Sequence, residues 1–331
     1  MSGNKITVTA PLDENGREVF LVAVGNENRD KVVFIEEDSP REEILSDTEV
    51  IVSFFFNREV DRSEYSLLSN TELLQAVSAG VDYLPFEEIP QHIEIAANSG
   101  GWAYQIAEHS IAMAMALYKR LVPLHNRLSR GDFKREAFLL RNVSGKVFGI
   151  AGYGGIGKHA GRLAKGLGMK VYALNRSGRT DEDVDYIGTM DELDFLLESS
   201  DILLIALPLT RHTKGMIGAE ELRRMKKDGT IINVARAPLI DEKALYDHLA
   251  ANPEFQAGLD VWWQEPSWSD ASFSVNYPFF DLENFIGSPH NSNYVEGAME
   301  KALDKAGKNV SAFLKGEKFA GKVDREDYLF E

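Results

Sequence analysis

The sequence predicts an α/β protein made of two doubly wound parallel-sheet domains, and three observations carry that prediction. Short apolar, β-branched runs alternate with helical patterns along almost the whole chain, as parallel strands sheathed by helices require. A glycine cluster, Gly152-Tyr153-Gly154-Gly155-Ile156-Gly157, stands between one such run and the helical pattern that follows it. At 331 residues the chain is also long for one core and suits two.

Taken in order, the first strand candidates are KITVTA, TEVIVSFFF, LLQAVSAGV and HIEIAANS. The flexible SGGW then introduces a long helix, about Ala103 to Leu121, and a domain boundary is placed there. Ile106, Ile111, Met113, Met115 and Leu117 make this helix apolar on most faces, which predicts burial in the core or against a second subunit. A second strand series follows: KVFGIAG, KVYALN, DILLIALP, TIINVA, FQAGLDV and NFIGSPH. Helices at Lys158–Leu167, Asp191–Glu198, Ala219–Met225 and Asp241–Ala250 lie between its members. A final helix, Glu296–Leu314, comes after Pro289, and composition alone assigns it to neither domain.

Composition narrows the class. Hydrophobic residues make up 44% and aromatics 10%, as in globular proteins. The net charge of −16 argues against a nucleic-acid surface, which needs clustered Lys and Arg, and is read as solubility. Cys is absent, so there is no disulfide, thiolate nucleophile or Cys-held metal, in keeping with a cytoplasmic protein. No His/Asp spacing suggests a metal site. MSGNKITVTAPLDENG lacks the apolar core of a signal peptide. IAEHSIAMAMALYKRL is interrupted by Glu108, His109 and Ser110 and is too short to span a bilayer, so no membrane association is expected.

The glycine cluster has the context of a Rossmann dinucleotide loop, because KVFGIA reads as a buried strand and GKHAGRLAKGLG as the next helix. Gly152 permits the tight turn, Gly154 leaves room for a pyrophosphate, and Gly157 lets helix and strand approach. Gly155 and Ile156 complete the loop, and the first amides and partial positive charge of the helix that follows face the phosphates. The next strand ends at Asn175, where an acid would bind the ribose hydroxyls and repel a 2′-phosphate. Asn removes that repulsion, and Arg176, Ser177 and Arg179 add donors. NADP(H) is therefore the expected cofactor, with NAD(H) second.

Three further stretches place a polar residue just past an apolar strand: IINVARAPLIDEKAL, AGLDVWWQEP and NFIGSPH. That edge of a doubly wound sheet faces the cofactor crevice, so Arg236, Glu265 and His290 are expected to converge. Arg offers a forked, permanent cation to a carboxylate substrate. His is suited to protonating an alkoxide as it forms, and a carboxylate hydrogen-bonded to an imidazole favours the imidazolium.

With ALPLTRHTKGMIG (206–218) and LLQAVSAGVD (73–82), these motifs resemble the D-isomer-specific 2-hydroxyacid dehydrogenases, in that family's order from Leu73 to His290. The resemblance implies a Rossmann nucleotide-binding domain, residues 102–290, inserted in a smaller flavodoxin-like substrate domain formed by 1–101 and 291–331. It implies that Arg236 binds and polarises the substrate, that His290 is the acid and that Glu265 is its partner. It further implies cofactor contacts from Leu207, Pro208, Thr213, Val234, Ala235 and Asp260, a substrate-carboxylate loop at Ala79, Gly80 and Val81, and a homodimer. Two departures stand out: Ala237 replaces the family's usual Gly, and the stretch between Glu265 and His290, residues 267–284 above all, is longer and more aromatic than usual.

SFFFN (53–57) ends the strand whose tip faces substrate in the family, and it offers aromatics where phosphoglycerate dehydrogenases tend to have Arg. A phosphate there would be costly. The expected activity is reduction of a small 2-oxo acid, glyoxylate or hydroxypyruvate first and a bulkier oxo acid second. The alternatives are a non-catalytic NAD(P)(H)-sensing corepressor-like protein, a phosphoglycerate dehydrogenase, or a dehydrogenase for formate or an amino acid. The AGLDVWWQEP-to-SPH pairing disfavours the last of these.

Overall fold

A computed structural model of the chain describes residues 5–266 and 272–330. It divides into two compact units, Met1–Trp102 with Val295–Glu331, and Ala103–Tyr294.

The first unit is built on a parallel sheet in the order β2-β1-β3-β4-β5. Its strands are β1 (Lys5–Val8), β2 (Val32–Phe34), β3 (Thr48–Ser53), β4 (Leu73–Ala76) and β5 (Glu94–Ala96), a flavodoxin-like sequence. Helices α1 (Glu14–Val24), α2 (Arg41–Ser46) and α3 (Phe56–Glu59) connect them. β1, β3 and β4 are buried almost throughout, which is why they read as unbroken apolar runs.

The second unit opens with α4 (Ala103–Tyr118) and α5 (Leu121–Ser129). Its sheet runs β12-β11-β10-β9-β6-β7-β8, all parallel. In chain order come β6 (Val147–Ala151), α6 (Gly155–Gly166), β7 (Lys170–Leu174), β8 (Tyr186–Gly188), α7 (Leu193–Ser199) and β9 (Ile202–Ile205). Then follow α8 (Ala219–Arg224), β10 (Thr230–Asn233), α9 (Glu242–Ala251), β11 (Gln256–Leu259) and β12 (Phe285–Gly287). The strand order reverses at β6, the position where such sheets open a crevice at their carboxyl edge. α4 packs on α6 and against β10, β11 and β12, burying Ala107, Ser110, Ala114 and Leu117. The chain then returns to the first unit through α10 (Ala298–Leu314), whose apolar face packs on α1.

Several elements differ from the sequence reading, each for a local reason. The run TEVIVSFFF is strand only to Ser53, because the Glu59 carboxylate accepts from the amides of Phe54 and Phe55 and turns the chain into α3. LLQAVSAGV is strand only to Ala76. β2 and β8 are three-residue edge strands, too short to show a period, and α1 and α2 were likewise not anticipated. The long helix stops at Tyr118 because Arg120 takes a left-handed φ of 48°, its guanidinium donating to the carbonyls of Glu283 and Pro253. Among the described residues no helix is long and apolar enough to cross a membrane.

The C-terminal segment closes the first sheet. Residues Ala96 and Lys322 form an antiparallel bridge, and the Arg325 guanidinium donates to four carbonyls, of Phe86, Ile89, Pro90 and Ile93. Lysine is a point donor and cannot reproduce that fork. Arg325→Lys is therefore expected to cost about 2–3 kcal/mol, read as a lower denaturant midpoint at an unchanged slope.

Candidate active site

The loop after β6 has the shape of a phosphate cradle. Gly152 has a φ of 102°, and a Cβ there would come within 2.5 Å of the Ala206 carbonyl oxygen at the end of β9. A Cβ on Gly157 would come within 2.5 Å of the Gly152 carbonyl oxygen, so both positions need glycine. Gly154 faces open space, and α6, which begins at Gly155, has no side chain capping its N-terminus. The first-turn amides of Gly155, Ile156 and Gly157 therefore stay available to an anion, with the helix dipole behind them. A dinucleotide pyrophosphate fits this donor set.

The adjoining strand end meets the same loop, since the Leu174 carbonyl accepts from the amides of both Gly152 and Tyr153. Asn175, next in sequence, organises a turn by donating to the Arg179 carbonyl at 2.8 Å and accepting from the Ser177 amide at 3.0 Å. The Ser177 hydroxyl also turns back on Asn175. Arg176, Ser177 and Arg179 are exposed on this turn. Beyond β9, the Thr213 hydroxyl accepts from the Thr210 amide and donates to the Pro208 carbonyl, folding the Leu207–Thr213 loop on itself.

Arg236, Glu265 and His290 all lie in the second unit, past the ends of β10, β11 and β12. The Asn233 side chain shapes the first of these loops, accepting from the Ala235 amide and donating to the Arg236 carbonyl. Val234 and Ala235 are buried beneath it, and an Arg236 guanidinium nitrogen donates to the Ala235 carbonyl. Ala237 is buried without a left-handed backbone, so the residue replacing the family glycine is accommodated without strain.

Glu265 Oε2 and His290 Nδ1 are 2.8 Å apart, each side chain 38% exposed. Burial pushes the Glu265 carboxyl up. The His290 hydrogen bond and charge, the Trp262 amide and the Arg236 charge outweigh it and hold the group below the ordinary glutamate value. The carboxylate is therefore ionised and accepts, which places a proton on Nδ1.

Asp260 is wholly buried, and its oxygens accept from the Ser288 hydroxyl at 2.6 Å and from the amides of Asn291 and Ser292 at 3.2 Å. Sequence reasoning did not single out Asn233, Trp262, Ser288 or His109. Trp262 donates through its amide to Glu265 and through its indole to the Ser288 carbonyl, and His109 Nε2 lies 2.9 Å from the Ser288 hydroxyl. Position just past a strand end was the available signal for Ser288, and at a strand's last residue for Asn233, while His109 showed only as a polar break in an apolar helix. Ala79, Gly80 and Val81 belong to the first unit, in the turn after β4. Residues 267–271 of the unusual connection lie outside the described residues.

A family model described as "D-isomer specific 2-hydroxyacid dehydrogenase, NAD binding domain" matches residues 111–292. The chain is 29% identical to a glyoxylate reductase of Thermococcus kodakarensis, with 97% of this chain and 96% of that protein covered. It is 32% identical to a glycerate dehydrogenase of Methylorubrum extorquens, with 76% and 78% covered. The solved structure of a glycerate dehydrogenase related protein from Thermoplasma acidophilum is 30% identical, covers 94% of this chain and 99% of its own, and gives a TM-score of 0.61. On the strength of these matches and a phosphate cradle built as described, the chain belongs to the D-isomer-specific 2-hydroxyacid dehydrogenases and is a nicotinamide-dinucleotide-dependent oxidoreductase.

Proposed function

We propose that this enzyme reduces a small 2-oxo acid of the glyoxylate or hydroxypyruvate kind, with NADPH preferred over NADH. The observation that carries the reading is the Glu265–His290 hydrogen bond within the field of Arg236. When bound, the nicotinamide dinucleotide supplies a hydride to the carbonyl carbon of the 2-oxo acid. Arg236 holds the substrate carboxylate and draws electron density toward the keto oxygen. His290 delivers the proton that the developing alkoxide needs from Nε2, and Glu265 keeps the ring oriented through Nδ1. The amides of Ala79, Gly80 and Val81 are proposed to serve the substrate carboxylate, and Asp260, Leu207, Pro208 and Thr213 to line the cofactor. By this assignment 102–290 is the nucleotide-binding domain, and 1–101 with 291–331 the substrate domain.

The NADPH preference is supported by Asn175, which replaces a repelling acid, and by the exposed Arg176 and Arg179. A small, unphosphorylated substrate is supported by relatives named for glyoxylate and glycerate, and by the residues past β3. There the Phe54 ring lies 4.8 Å from Phe55 and 6.0 Å from Trp102, and Arg58 stacks over Phe55 at 5.1 Å. A phosphate would lose its hydration among these rings. A homodimer is supported by the apolar surface that follows α4, where Leu121, Leu128, Phe133 and Leu139 are exposed, Leu139 to 93%.

His290→Ala is expected to lower turnover by about 10² to 10⁴ while cofactor affinity stays nearly intact. In that variant the Glu265 carboxyl should titrate higher than in the parent, by carbon NMR. The pair's contribution to stability is present above pH 4.5 and is lost as pH falls through the lowered value of Glu265. Assayed by absorbance with glyoxylate and hydroxypyruvate, the enzyme should show the larger kcat/KM with NADPH, and Asn175→Asp should shift the ratio toward NADH by about tenfold or more. Equal use of both cofactors by parent and variant contradicts the assignment. Light scattering should give twice the chain mass, and a Leu139→Glu change should lower it.

A further inference from the structure

We propose that Ser288 anchors a clamp that sets the position of His290, with Trp262 and His109 as its positioning residues; this rests on the catalytic reading of Glu265 and His290. His290 has a φ of 50°, a left-handed conformation that a non-glycine residue keeps only where its surroundings over-determine it. The surroundings do so from two sides. On one, the Ser288 hydroxyl directs its single proton to Asp260 at 2.6 Å, so the 2.9 Å contact with His109 must have Nε2 of His109 as donor. Asp260 also binds the amides of Asn291 and Ser292, which fixes the chain immediately after His290. On the other side, the Ser288 carbonyl accepts from Trp262 Nε1 at 2.8 Å.

Trp262 joins the two halves of the catalytic pair. Its amide donates to Glu265 Oε1 at 3.0 Å while its indole holds the carbonyl two residues before His290. The indole lies against Gly287, where a Cβ would approach its ring to 2.5 Å. Phe273, Phe280 and Phe285 surround it, with ring centroids at 4.8, 5.4 and 6.0 Å. The described part of the aromatic segment after Glu265 thereby acquires a task. Phe273 and Phe280 remain 42% and 57% exposed, and their inner faces restrict the indole to the orientation that reaches Ser288.

The test compares Trp262→Phe, which keeps an aromatic ring and the backbone amide but loses the indole N–H, with Ser288→Ala and Ser288→Thr. With glyoxylate and NADPH, the first two should turn over at least about tenfold more slowly, Trp262→Phe losing the one hydrogen bond from its indole and Ser288→Ala the two made by the hydroxyl. KM and NADPH affinity should stay near those of the parent, the smaller ring of Trp262→Phe should cost some melting temperature, and Ser288→Thr, which keeps the hydroxyl, should regain most of the rate. Unchanged rates in Trp262→Phe and Ser288→Ala overturn the clamp. So does a rate loss matched by equal losses of cofactor affinity and melting temperature, which marks a merely structural role. Turnover that survives His290→Ala overturns the catalytic reading and the clamp's role with it, so the two failures are told apart.

Discussion

The parallel register of β10, β11 and β12 is the constraint on which the second unit's chemistry depends. Asn233 pairs with Leu259, and Leu259 with Gly287, so the residues one step further on leave the sheet together. Val234, Asp260 and Ser288 are those residues. Because side chains alternate along a strand, a slip of one position would turn Asp260 away from Ser288 and unseat the turn that carries His290. The same edge shows how a short polar side chain extends a strand's influence: Asn233 holds the backbone on both sides of its own loop, and Arg236 leaves the sheet from a fixed point.

Two carboxylates a few residues apart illustrate how surroundings divide labour. Asp260 has no exposed surface, and its oxygens accept from a hydroxyl and two amides, with His109 Nε2 3.8 Å from Oδ1. It is a fixed point of the framework. Glu265 keeps part of its side chain in solvent, holds one backbone amide, and reserves its other oxygen for an imidazole. Of the two, only Glu265 is left incompletely buried.

The sequence made the second unit more legible than the first, because glycine, arginine, glutamate and histidine occur there just past apolar strands, in motifs with a recognisable order. The alternating pattern also located both sheets. Edge strands of three residues, such as Val32–Phe34 and Tyr186–Gly188, carry no period and were missed. The end of β3 was overrun because Glu59 captures the amides of Phe54 and Phe55, an effect of tertiary position. The partnership of His109 with Ser288 spans 179 residues, and that of Trp262 with Ser288 rests on an indole nitrogen in a tract otherwise marked only as aromatic. Long-range hydrogen bonds of this kind leave no local signature.

The discontinuity of the first unit has a consequence for biosynthesis. Its α1 packs on α10, and its outer loop is gripped by Arg325, both of them encoded after the whole of Ala103–Tyr294. On the ribosome the inserted unit emerges as one uninterrupted stretch, whereas the sheet that precedes it must wait, with a helix-sized apolar face uncovered, until the last segment is translated.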